Sequence, residues 1–185
     1  MPSRELDRGH LLRRIEAAVA SAGVDAARCD VRPLQGGASS LTYRADLESG
    51  QGPFSIVVKV APRGLEPVGS RDVLRQADVL RHLRTVGGVP VPEVLFSDEG
   101  TGADDPPLFG MSLEPGVCFE PCYDEPVATV MPPVDDRMTQ AVRTLATLHS
   151  VPAPPQMAAA GPGSWPGASR QELRARHGAR SRARP

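Results

Sequence analysis

Apolar residues recur along the first 150 positions in two distinct rhythms. Residues 4 to 22 place Leu6, Leu11, Leu12, Ile15 and Val19 three and four apart among charged neighbours, which predicts an amphipathic helix ending at Gly23. The rhythm then changes. Val31 to Leu34 reads as a strand, and Leu41 to Leu47 alternates Leu41, Tyr43, Ala45 and Leu47 with Thr42, Arg44 and Asp46, the period-2 signature of a second. Glu48 to Pro53 is a turn, and Phe54 to Val60 is a strand whose Ile-Val-Val centre predicts burial on both faces.

Helical spacing returns over Ser70 to Val86, where Val73, Leu74, Ala77, Leu80 and Leu83 form one stripe, Ser70 can cap the start and Gly87-Gly88 ends it. The prolines of residues 89 to 96 bar a helix and suit an edge strand. Leu108 to Glu114 is a short apolar strand closed by Pro115-Gly116. A last helix starts at an Asp135 or Asp136 cap and runs to Ser150, with Met138, Val142, Leu145, Leu148 and His149 near one face. These elements specify an α+β domain with about five strands in an antiparallel sheet and flanking helices. The expected divisions are a lead-in over 1–29, a sheet with an inserted helix over 30–116, a linker and helix over 117–150, and a disordered tail over 151–185. After Val151 only Met157, Trp165 and Leu173 remain as large apolar residues, too few to offset the entropy of ordering that tail.

Charge separates the same two parts. Residues 1 to 150 hold fifteen basic against twenty-one acidic groups, a balance of −6, while 151 to 185 hold six Arg against Glu172, a balance of +5; together these give the net −1. The first residues carry no apolar leader and no run is long enough to span a bilayer, so a cytoplasmic protein without membrane contact is expected. Cys29, Cys118 and Cys122 are odd in number and lack Cys-x-x-Cys spacing, which fits reduced thiols and no metal site. The tail arginines lack aromatic stacking partners, so nucleic acid is not favoured as a partner.

One residue stands out chemically. The chain has twenty arginines, and Lys59 is its single lysine. In so Arg-rich a sequence, a compact ammonium on a flexible stem implies a task that a planar guanidinium would not perform. Gly36-Gly37 precedes it by two strands. A glycine turn lets backbone N–H groups approach an anion, and a lysine from a following strand can reach the same phosphates.

The ordered set L-Q-G-G-A-S-S-L-T-Y, I-V-V-K-V-A-P, S-R-D-V-L-R-Q-A-D-V-L-R-H-L, V-P-V-P-E-V-L, P-L-F-G-M-S-L-E-P-G and A-V-R-T-L-A-T-L-H-S-V-P, over roughly residues 30 to 152, resembles the aminoglycoside phosphotransferase family of kinase-like enzymes. The resemblance implies the N-terminal, nucleotide-binding lobe of a protein-kinase-like fold, with ATP and Mg2+ as cofactors and a small molecule bearing a hydroxyl as substrate. It makes Gly36, Gly37, Ala38, Ser39 and Ser40 the loop over the ATP phosphates and Lys59 the lysine on the α- and β-phosphates. Met111 would back the adenine pocket, and Ser112 to Glu114 would be the hinge along the adenine edge.

Two departures follow from the same resemblance. Gln76 stands where the family generally has the glutamate that pairs with the lysine, and it can hydrogen-bond an ammonium but not neutralise it. The family's catalytic His-Gly-Asp loop is also missing: the chain offers only His177-Gly178-Ala179, with Ala where the aspartate base should be and Arg184 where the asparagine should be, and that match is read as chance. The chain therefore reads as a nucleotide-binding lobe, inactive alone, from a truncated or frameshifted gene product. A non-catalytic binding or scaffold module is the alternative.

Overall fold

A computed structural model describes residues 7–24, 26, 28–34, 40–66, 68–102, 105–116 and 132–153. The elements are α1 (Arg8–Ser21), β1 (Arg28–Pro33), β2 (Leu41–Ser49), β3 (Gly52–Val60), a 3-10 turn (Gly69–Arg71), α2 (Val73–Val86), β4 (Val94–Asp98), β5 (Leu108–Ser112) and α3 (Val134–Ser150). They belong to one compact unit, Met1–Pro152; of the second, Ala153–Pro185, only the first residue is among those described.

The five strands form one sheet in the order β1-β2-β3-β5-β4, every pairing antiparallel. The α+β expectation with about five antiparallel strands therefore holds, and the proline-preceded β4 is an edge strand as expected. The turn between β2 and β3 is Gly50-Gln51, tightened by the Ser49 hydroxyl, which donates to the Gly52 carbonyl at 2.9 Å. β1 begins three residues before its expected start, because Arg28 and Asp30 interrupt the apolar pattern but still pair with Glu48 and Asp46.

Register sorts the side chains onto two faces. Ala45, Leu47, Ile56, Val58, Val60 and Leu108 turn to one side and form the main core with Leu11, Ile15 and Val19 of α1. Phe109 lies on the other side and packs with Ala61 and with Val73 and Ala77 of α2. The Ile56-Val57-Val58 centre of β3 is buried on both faces, as its composition predicts.

Helix ends correct the sequence reading in two places. Ser70 does not cap α2; it lies in the 3-10 turn, and the Asp72 carboxylate accepts from the Arg75 N–H at 3.0 Å instead. α3 starts at a Pro133 N-cap with no side-chain cap bond, leaving Asp135 and Asp136 inside the first turn, where they favour the positive end of the helix dipole. Asp72→Ala removes the one side-chain cap of α2 and is expected to lower stability by about 1 kcal/mol. A denaturant midpoint unchanged by Asp72→Ala but lowered by Ser70→Ala would reverse that assignment.

α1 is fixed to the β4–β5 connection by a buried cation. Arg14, 9% exposed, donates from Nε to Asp98 at 2.9 Å and from Nη1 to the Pro106 carbonyl at 2.8 Å, and Nη1 lies 2.7 Å from Asp105. Its Nη2 meets Asp98 at 2.7 Å as an ionic contact rather than an aligned hydrogen bond. His10 and Thr101 also bond Asp105, at 2.9 and 3.0 Å. Burial alone would raise the Asp105 pKa; the hydrogen bonds from His10 and Thr101 and the charges of Arg14 and His10 outweigh it and hold the carboxyl below the ordinary 3.8.

Candidate nucleotide site

Lys59 lies near the end of β3, where sheet register fixes its surroundings. It pairs with Thr42 on β2 and with Phe109 on β5, so its side chain leaves the sheet on the α2 side. Val57, two residues back on the same face, pairs with Met111. Met111 packs partly buried against the α2 cluster of Ala61, Val73, Ala77 and Phe109. Lysine, Val57 and Met111 thus share one face beside α2.

α2 then presents Gln76 to the lysine. Lys59 Nζ donates to Gln76 Oε1 at 2.7 Å, and Gln76 Nε2 donates to the Ser70 carbonyl at 2.7 Å. The second bond fixes which end of the amide faces the ammonium, so the 3-10 turn before α2 orients the lysine's partner. This is the pairing expected from the sequence. Asp78, two residues on, turns elsewhere and is bonded by Arg81 at 3.2 Å.

The electrostatic consequence is a half-buried ammonium whose bonded partner is neutral. Burial lowers the Lys59 pKa below its ordinary 10.5. Below that depressed value the charged side chain bears its full desolvation cost in the folded state, and stability rises as pH climbs from there toward 10.5, where the unfolded chain holds the extra proton. An anion beside Nζ would offset the same cost.

At the expected hinge, Ser112 ends β5. Its N–H donates to the Glu93 carbonyl at 2.8 Å, while its hydroxyl accepts from the Glu93 N–H at 2.9 Å and donates to the Glu114 carboxylate at 2.5 Å. The Ser112 N–H is therefore committed to the protein, and the main-chain groups of Leu113 and Glu114 follow it on exposed chain. Ser40 is buried directly before β2. Gly36, Gly37, Ala38 and Ser39 lie outside the described residues, as do Cys118, Cys122 and His177 to Arg184.

On the lysine's face of β2 and β3 the polar groups pair with one another. Arg44 donates to Asp46 at 2.7 Å and to the Ser55 hydroxyl at 2.9 Å, and Ser55 donates to Asp46 at 2.5 Å. Those two hydrogen bonds, from Ser55 first and Arg44 second, hold the Asp46 carboxyl below its ordinary pKa against a smaller effect of burial. This trio and Val57 escaped the sequence reading, although the alternation Thr42, Arg44, Asp46 places the β2 members on one face. Cys29 is half-buried beside Glu16, Asp30 and Asp46; burial first, then those charges, push its thiol up to about 11, so it stays protonated at neutral pH. Among the described residues no group of three or more His, Cys, Asp or Glu side chains is placed to hold a metal ion.

A family model described as the phosphotransferase enzyme family matches residues 30–185. Comparison with curated proteins and with solved structures returned no match.

Proposed function

This chain belongs to the phosphotransferase enzyme family, and from that premise we propose that its five-stranded unit is a kinase-like N-terminal lobe that binds ATP through Lys59. The observation that carries this reading is the Lys59 ammonium, half-buried and held at 2.7 Å by a neutral amide. A buried cation without a bonded carboxylate is costly, and a polyphosphate supplies the missing negative charge. Met111 and Val57 on the same face offer apolar surface to a purine, and the backbone of Leu113 and Glu114 offers polar groups to its edge. Gly36 to Ser40 would cover the phosphates, as the order of motifs implies.

The class of reaction is phosphoryl transfer to a hydroxyl of a small molecule, as the family resemblance implies, and the protein acts in the cytosol, where ATP is held. Magnesium would reach this lobe with the nucleotide. The chain alone binds without turnover, because its sequence contains no His-Gly-Asp motif with an asparagine five residues on, the groups that the resemblance gives to the base and to a metal-binding amide.

Titration calorimetry with magnesium-ATP tests the reading. Lys59→Ala is expected to weaken binding about 10- to 100-fold, the value of one charge-assisted contact, with unchanged circular dichroism. Absence of ATP binding by the unaltered chain would overturn the nucleotide reading in favour of a scaffold. Phosphate release by this chain alone would overturn its inactivity.

A further inference from the structure

The sheet face that carries Lys59 also carries an arginine for which the phosphate chemistry has no use. Arg44 of β2 pairs with Val57 of β3, and Val57 pairs with Met111 of β5, so the three form one row across the sheet, next to the row of Thr42, Lys59 and Phe109. Residues directly opposite in antiparallel strands point to the same side. Two inter-strand steps of about 4.8 Å separate Arg44 from Met111, with Val57 between them. A base laid against Val57 therefore has the methionine at one flank and the arginine at the other.

The Arg44 guanidinium is held flat and is already neutralised. Its Nε donates to Asp46 at 2.7 Å and its Nη2 to the Ser55 hydroxyl at 2.9 Å, and Ser55 closes the triangle by donating to Asp46. These bonds lead away from the lysine, because Asp46 and Ser55 pair with each other one row further from it. Asp46 also lies 3.6 Å from Arg32, and the neighbouring Asp30 is paired with Arg8, so charge on this part of the face is balanced. A phosphate brought to Arg44 would meet the Asp46 carboxylate as well, a repulsion that a neutral base escapes. The Arg44 side chain is 33% exposed, enough to be reached from solvent. A planar guanidinium fixed along two of its edges can stack on an aromatic ring with little further ordering.

We propose that Arg44 is a specificity-determining residue of the nucleotide site: its guanidinium plane, held by Asp46 and Ser55, stacks on the purine while Lys59 takes the phosphates. This role presupposes that ATP binds at Lys59, as proposed for the site, and adds how the base is held. Two cations of different kind then divide one face, a compact ammonium for charge and a flat plate for the ring.

Titration calorimetry of the whole chain with ATP, comparing the unaltered protein with Arg44→Ala, Arg44→Lys and Arg44→Tyr, tests this. The alanine and lysine variants are each expected to bind ATP about 3- to 30-fold more weakly, since neither offers a plane, and the tyrosine variant to recover most of that loss through its ring. Binding of tripolyphosphate, which has no base, should stay within about twofold in all three. Asp46 keeps the Ser55 hydroxyl and Arg32 as partners in each variant, so the thermal transition should persist. Unchanged ATP affinity in Arg44→Ala overturns the assignment. So does full affinity in Arg44→Lys, or an equal loss for tripolyphosphate, since either makes Arg44 a charge rather than a plate. A tyrosine variant no better than alanine overturns the stacking. Absence of ATP binding by the unaltered chain overturns the nucleotide reading itself, whereas binding lost with Lys59→Ala but kept with Arg44→Ala spares that reading and overturns this role alone.

Discussion

Gly110→Ala is expected to lower the stability of the unit by about 2–4 kcal/mol, among the largest effects of any single methyl group in this protein. Gly110 lies in β5 opposite Phe96 of β4, beside an irregularity in that pairing between Val94 and Phe96. A β-carbon at Gly110 would stand 2.4 Å from two atoms of the Phe96 ring and 3.0 Å from a third. The ring is 6% exposed and belongs to the main core, so it cannot swing clear without opening that core. Glycine here leaves room for an aromatic side chain to lie over the strand, which recovers in packing what the glycine lacks. The clash is specific to the pair. In a Phe96→Leu background the added methyl should cost less than about 1 kcal/mol, a coupling that a double-mutant cycle by urea denaturation would measure. Equal costs in both backgrounds would mean that β5, rather than the ring, resists substitution.

Arg14→Met is expected to cost about 3 kcal/mol, because it removes the cation from between two carboxylates and leaves both partly buried. Its pH dependence separates this cause from lost packing. The carboxyl of Asp105, held below its ordinary 3.8, contributes stability above that value and loses it as pH falls through the folded pKa. Without Arg14 the folded pKa moves up and the contribution shrinks. The gap between the two proteins, measured by thermal denaturation, should therefore narrow as the pH is lowered through 3.8. A gap constant from neutral pH to acid would assign the loss to packing.

These two positions mark where the sequence stops being legible. Alternation and helical spacing located the strands and helices, since each pattern is local and repeats over several residues. Arg14 looked like a solvent-facing charge on an amphipathic helix; its partners lie 84 and 92 residues away, which no local pattern records. Gly110 sits within an apolar run and gives no sign that a ring from a neighbouring strand covers it. The insertion of β5 between β3 and β4, which brings Phe109 and Met111 onto the lysine's face, is likewise a matter of long-range pairing.

At the site, Lys59 was legible from composition, because a single lysine among twenty arginines is conspicuous. The pairing with Gln76 was legible from the resemblance, and the structure draws the two together at 2.7 Å. The Ser70 carbonyl behind Gln76 was not. Ser70 and Asp72 are both good helix caps, and only the path of the 3-10 turn decides which one caps and which orients the glutamine.

The outer strands of the sheet bear on how this protein keeps from aggregating. An edge strand exposes unpaired backbone groups to any passing chain. β1 answers with an exposed Asp30 and Arg32 and with Pro33 at its end, which has no N–H to offer. β4 is only five residues long, follows Pro90 and Pro92, and has both α1 and α2 packed near it. Open-ended growth by strand addition, the route to fibres, is therefore obstructed at both margins of the sheet.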